Sequence, residues 1–216
     1  MTADLFEDQP PEPSKLVIAP GAVLLRGFAR DGDQALLQAF NEVTANAPLR
    51  HLVTPGGYTM SVAMTNCGAL GWVSDRHGYR YQAHDPLSGA PWPAMPVAWH
   101  ELAVRAAAEA GYAGFRPDAC LVNSYEPGAR LSLHQDKDET DLGAPIVSVS
   151  LGLPAVFQFG TALRSDRPQR LRLVHGDVVV WGGPSRLAFH GIAPLAAGQH
   201  PLTGQRRINL TFRKVG

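Results

Sequence analysis

Two cysteines, Cys67 and Cys120, are all that 216 residues contain. Disulfide frameworks and structural zinc sites both need paired cysteines, so neither is expected, and the two are read as reduced thiols in or near a core. No stretch approaches the ~20 apolar residues that a membrane-spanning helix needs. The opening MTADLFEDQPPEPSK is acidic and proline-rich where a secretory signal would be apolar. A cytoplasmic protein with no membrane partner is the expectation. An excess of one charge is missing too: 19 basic residues balance 19 acidic ones. Bulk positive charge therefore cannot hold this chain on a polyanion, and only a local patch could. There is no Gly-x-Ser-x-Gly, the sharp turn on which one class of hydrolases mounts its serine. Internal repeats, low-complexity runs and interdomain linkers are also absent.

What is present is an ordinary globular composition, 45% hydrophobic, with 22 Gly and 18 Pro to supply many turns. Residues 1–18 read as a flexible lead-in and 19–216 as one domain. GAVLLRGFA (21–29) reads as a strand. In residues 33–47, Leu36, Leu37, Phe40 and Val43 follow the helical period, and MPVAWHELAVRAAAEAGY (95–112) predicts a second helix stopped at Gly111. Beyond residue 117 short β-like runs alternate with turn signals: ACLVNSY, RLSLHQD, IVSVSLGL, AVFQFG, RLRLVHG, DVVVWGG and INLTFR. Such spacing predicts a sandwich or barrel, here with two helices packed on a C-terminal β-sandwich.

RLSLHQD, read as a strand, places Ser132, His134 and Asp136 on one face and Leu131 and Leu133 on the other. An imidazole and a carboxylate two residues apart can share one metal ion. RLAFHGI supplies a second histidine, His190, in another apolar run. Two His and one carboxylate can cap one face of an octahedral Fe(II) and leave three positions open. His-x-Asp by itself is common, and a charged surface loop is the plainer alternative. The remaining histidines lack a matching carboxylate on a strand-like run. RRINLTFR, read the same way, places Arg207, Asn209, Thr211 and Arg213 on one face. The plain alternative is an edge strand with a solvated polar face. Two arginine forks beside a metal set suit a dicarboxylate better.

In VTPGGYTMSVAMTNCG, PDACLVNSYEPGARLSLHQDKDE, PIVSVSLGLPAVFQFG, HGDVVVWGG and NLTFR, the chain resembles the AlkB family of Fe(II)/2-oxoglutarate-dependent nucleic-acid dealkylases. The likeness runs from about residue 20 to the end. It implies a mainly β fold with flanking helices: a double-stranded β-helix (jelly-roll) core over about 118–214, and an N-terminal nucleotide-recognition lid over about 50–90. It implies His134, Asp136 and His190 as metal ligands and catalytic centre. It gives Arg207 and Arg213 as anchors for the two ends of 2-oxoglutarate, with Asn123, Tyr125 and Asn209 as further contacts to that cosubstrate. The implied reaction releases formaldehyde from 1-methyladenine or 3-methylcytosine while 2-oxoglutarate and O2 become succinate and CO2. The implied partner of this monomer is single- or double-stranded DNA, possibly RNA, with the alkylated base flipped out of its stack.

The same resemblance places Trp72 against one face of the base, with Tyr79 on the backbone nearby and Thr54, Tyr58, Met60 and Ser148 lining the pocket. On a continuing strand Asp138 shares the face of Asp136 and can accept from the exocyclic amine of adenine or cytosine. Lys137 and Glu139 then point away, to solvent or backbone. RSDRPQRLR carries Arg164, Arg167, Arg170 and Arg172 against Asp166, a local basic patch in a neutral chain. It reads as a solvated hairpin tip or a phosphate-facing surface, joined by Arg76, Arg80 and Arg130, and the resemblance singles out Arg164 as a substrate contact. Two rival readings are an oxygenase for a protein or small molecule, which Trp72, Tyr79 and Asp138 argue against, and a non-enzymatic jelly-roll binder, which has no use for the triad and its arginines.

Overall fold

The computed structural model describes residues 14–216. Two sheets face one another. The larger has eight strands, in the order β1 (Ser14–Ala19), β2 (Ala22–Arg26), β12 (Val178–Trp181), β9 (Ile146–Gly152), β14 (Arg207–Arg213), β7 (Ala119–Tyr125), β4 (Thr59–Gly68) and β3 (Arg50–Val53). The smaller has four, β11 (Gln169–Leu173), β10 (Ala155–Phe159), β13 (His190–Ile192) and β8 (Leu131–His134). A separate hairpin joins β5 (Gly71–Asp75) to β6 (Gly78–Gln82). Helices α1 (Asp33–Asn46) and α2 (Val97–Glu109) cover the outer face of the larger sheet. The mainly β fold with flanking helices is the one expected, and among the described residues no helix is long and apolar enough to cross a membrane.

Side-chain alternation explains how the large sheet serves two cores. On β14, Ile208, Leu210 and Phe212 join Leu36, Phe40, Val43, Trp99 and Leu102 of the helices. Trp99 meets Phe212 edge-on, with ring centroids 6.4 Å apart. Arg207, Asn209, Thr211 and Arg213 point the other way, into the space between the sheets. All seven residues of β14 are buried and the strand lies between β9 and β7, so the edge-strand alternative does not hold. Phe157, Phe159, Trp181, Ile146 and Leu173 fill the inter-sheet core around that polar stripe. Cys67 and Cys120 sit opposite one another on β4 and β7, both free and buried, as expected of reduced core thiols.

Several expectations need correction. Residues 14–18 of the expected lead-in form most of β1, which pairs antiparallel with β2; residues 1–13 lie outside the described residues. The sandwich is not confined to the C-terminal half, because β1–β4 supply half the strands of the larger sheet. Within residues 50–90, β3 and β4 form one edge of that sheet and the β5–β6 hairpin extends separately, which leaves the expected lid over this region uncontradicted. TMSVAMTNCG docks on β7 and RHLV docks in turn on TMSVAMTNCG, each gaining ladder hydrogen bonds at a vacant edge. The β8 strand stops at His134, and residues 135–139 run on without regular structure.

Candidate active site

His134 closes β8 and His190 opens β13, and the two are register partners with ring centroids 4.4 Å apart. Gly191 permits that closeness. A Cβ there would lie 2.6 Å from the Leu131 carbonyl oxygen, inside any real contact. Each imidazole holds its Nδ1 against a carbonyl two residues earlier, His134 on Ser132 at 2.9 Å and His190 on Ala188 at 3.0 Å. An Nδ1–H donated to a carbonyl leaves the Nε2 lone pair free for a ligand. Asp136 arrives from just beyond the strand, with Oδ1 3.5 Å from His134 Nε2 and Oδ2 3.8 Å from His190 Nε2. One ligand atom from each of the three residues lies within 4.8 Å of the others.

Electrostatics favour the ligand forms. Burial would raise the Asp136 carboxyl, but the charges of Arg213, His190 and His134 outweigh it and hold the group below the usual carboxylate range. Burial, reinforced by His134, pushes His190 down to about 4, so its ring is neutral at physiological pH. Two imidazoles and a carboxylate on one side of a cavity fit a single divalent metal with open positions.

Opposite the triad stands Arg207, 1% exposed, its guanidinium 4.9 Å from the centroid of the Tyr125 ring. Its Nη2 donates to Ser150 Oγ at 3.0 Å, while Nε and Nη1 have no partner among the described residues. A buried cation with two idle donors is costly, and a carboxylate would satisfy both. Arg213 is different. Its Nε and Nη2 donate to Asp136 Oδ2 at 3.0 and 2.6 Å, so this arginine is committed to the metal side. Of the two expected anchors, Arg207 is the one with two buried donors unpartnered among the described residues. Asn209 gives its amide to Ser148 Oγ and Val149 O and accepts from Thr211 and Asn123. Asn123 keeps a buried Oδ1 without a partner among the described residues.

A cavity of about 880 Å³ contains all of these groups. Trp72, Tyr79, Asp138, Arg164, Thr54, Tyr58, Met60 and Ser148 line it as well, so every site residue proposed from sequence faces one space. Trp72 and Tyr79 stack, with centroids 5.4 Å apart and planes 14° from parallel. Arg164 sits at the rim over Phe189, its Nη1 donating to the Leu133 carbonyl at 3.0 Å. Arg80 is bound by both ends to Asp75 at 3.0 and 2.7 Å, which removes it from the basic patch. Arg76, Arg130, Arg167, Arg170 and Arg172 are exposed.

Two readings of the acidic run change. No strand continues to Asp138; its carboxylate reaches the site from a loop and accepts the Trp72 indole N–H at 2.9 Å. Glu139 does not point to solvent. It is 7% exposed and accepts from Tyr81 Oη at 2.6 Å and Arg186 Nη2 at 3.0 Å, with Arg213 Nε 3.2 Å away. Sequence reasoning passed over Tyr81, although HGYRYQ places it on the same strand face as Tyr79.

The model of the 2OG-Fe(II) oxygenase superfamily matches residues 21–213. The chain is 63% identical to the alpha-ketoglutarate-dependent dioxygenase AlkB of Salmonella typhimurium, over 98% of this chain and 97% of that protein. It is 62% identical to the AlkB of Escherichia coli strain K12, over 99% and 98%. The solved structure of OsALKBH1 superposes with a TM-score of 0.81 at 29% identity, covering 93% of this chain and 100% of the other.

Proposed function

The chain belongs to the AlkB family of 2OG-Fe(II) oxygenases, and from that premise we propose that it repairs N-alkylated bases by oxidative dealkylation. It is an Fe(II)- and 2-oxoglutarate-dependent dioxygenase. DNA is the substrate class, with RNA as an extension of it. Within that class the bases are 1-methyladenine and 3-methylcytosine, each flipped into the cavity. The observation that carries the site assignment is the cavity itself: a His-Asp-His donor set on the small sheet faces a buried arginine with two idle donors on the large one.

In this reading His134, Asp136 and His190 hold the metal through His Nε2 and the carboxylate. Bound iron with 2-oxoglutarate and O2 supplies the oxidising power that hydroxylates the N-methyl carbon, after which formaldehyde leaves. The protein's share is placement. Arg207 fixes the far carboxylate of 2-oxoglutarate with Nε and Nη1, while Tyr125 and Asn123 flank it. Arg213 keeps Asp136 ionised and occupies its Oδ2, which leaves Oδ1 the freer oxygen for the metal. Trp72 offers a flat face to the base. Asp138 holds that indole by its N–H and presents its second oxygen to the exocyclic amine and positive ring of the methylated base. Arg164 stands at the rim where the phosphate backbone passes. The β5–β6 hairpin serves as the nucleotide lid.

Formaldehyde release and the mass of a methylated single-stranded oligonucleotide test this. Wild-type protein with Fe(II) and 2-oxoglutarate should restore the unmodified base on DNA, with an RNA oligonucleotide as the second arm. Asp136→Ala should release none while melting as a folded protein. Formaldehyde release by Asp136→Ala at the wild-type rate removes the metal assignment.

A further inference from the structure

The β5–β6 hairpin touches the metal-bearing segment at two points. Trp72 and Tyr81 are ladder partners, so their side chains leave the hairpin on one face. They donate to consecutive acids: Trp72 Nε1 to Asp138 Oδ2 at 2.9 Å, and Tyr81 Oη to Glu139 Oε1 at 2.6 Å. The second contact leads inward. Glu139 lies against two buried arginines, Arg186 at 3.0 Å and Arg213 at 3.2 Å. Both arginines also hold Asp136. Arg213 grips its Oδ2, and Arg186 Nη1 donates to its backbone carbonyl at 2.6 Å. Asp136, Glu139, Arg186 and Arg213 sum to zero charge inside the protein, so removing one acid leaves a buried cation unpaired. No chemistry described above uses Glu139. Its burial is nevertheless as complete as that of Asp136.

We propose that Glu139 is a positioning residue of the metal centre, and that the Tyr81 hydroxyl uses it to couple the lid hairpin to the carboxylate ligand. The chain of contacts runs Tyr81, Glu139, Arg213, Asp136. Moving the hairpin takes the hydroxyl off Glu139 and loosens the clamp on Arg213; fixing Asp136 by a metal stiffens the same chain outward. Coupling of this kind is reciprocal by thermodynamic necessity. The base side and the metal side therefore share one ionic network. This rests on the metal assignment made above.

Co(II) titration followed by its d–d absorption reads the metal side. Hydrogen exchange across residues 71–82, with and without Co(II) and 2-oxoglutarate, reads the hairpin. Glu139→Gln keeps the shape and removes the charge; it should weaken Co(II) binding about ten- to hundredfold, the usual cost of losing a partner behind a metal ligand. Tyr81→Phe removes one oxygen and leaves the ring in place. Its hairpin should lose the metal-dependent slowing of exchange that the wild type shows, which a purely structural role for the hydroxyl would leave intact. Co(II) binding by Glu139→Gln within twofold of wild type, or undiminished metal-dependent protection in Tyr81→Phe, overturns the inference. A wild type that binds no Co(II) overturns the metal assignment and this inference together.

Discussion

Arg207 and Arg213 sit six residues apart on one strand face, and their partners give them different work. Arg207 keeps two donors idle, whereas Arg213 spends its own on Asp136. Arg207→Met should therefore raise the 2-oxoglutarate concentration for half-maximal turnover about a hundredfold or more, in line with a charge-assisted bond of about 3 kcal/mol, and leave Co(II) affinity within a few-fold. Arg213→Met should lower Co(II) affinity itself, since Asp136 loses the charge that keeps it ionised and fixed; side-by-side titrations separate the two. Asp138→Asn should keep metal and 2-oxoglutarate binding but change the preference between 1-methyladenine and 3-methylcytosine about ten- to hundredfold, read from competing oligonucleotides. At this scale the sequence was informative where a residue acts through its own strand. His134 and the β14 arginines followed from period-two alternation. Glu139 did not, because its burial is imposed by Arg186 and Arg213, which only the tertiary fold brings to it.

Elements carry the site's precision through a few close approaches. Strands β8 and β13 face each other at His134 and His190 only because Gly191 has no Cβ. Gly191→Ala should force the pair apart and weaken Co(II) binding more than it lowers the melting temperature, a split that calorimetry and metal titration together reveal. On the far face of the large sheet the reverse holds. Trp99 is fully buried between α1 and β14, so Trp99→Ala should cost about 3–5 kcal/mol of stability in denaturant unfolding. Helix α1 was legible from the spacing of Leu36, Leu37, Phe40 and Val43, and α2 from the Ala-rich run that Gly111 stops. The roles of β1–β4 were less legible. Alternation identifies a strand but not the sheet it joins, and pairing between Cys67 and Cys120 is a contact between residues far apart in the chain.

Across the whole molecule the cavity lies between two sheets, and from β7 to β14 the chain crosses from one to the other six times. The metal donors come from the small sheet and its exit loop; the arginine that would take the cosubstrate comes from the large sheet. Metal and 2-oxoglutarate together therefore form a rivet through the sandwich. A ligand at a hundred times its dissociation constant adds about 2.7 kcal/mol to the folded state, which reduces the opened population about a hundredfold. Digestion with a small protease should slow to match when Co(II) and 2-oxoglutarate are added, and Arg207→Met should forfeit the part due to 2-oxoglutarate. Supply of iron and of a central carbon metabolite would then govern how long each copy of the protein survives, as well as how fast it works. A starved cell would hold fewer copies of it without any change in synthesis.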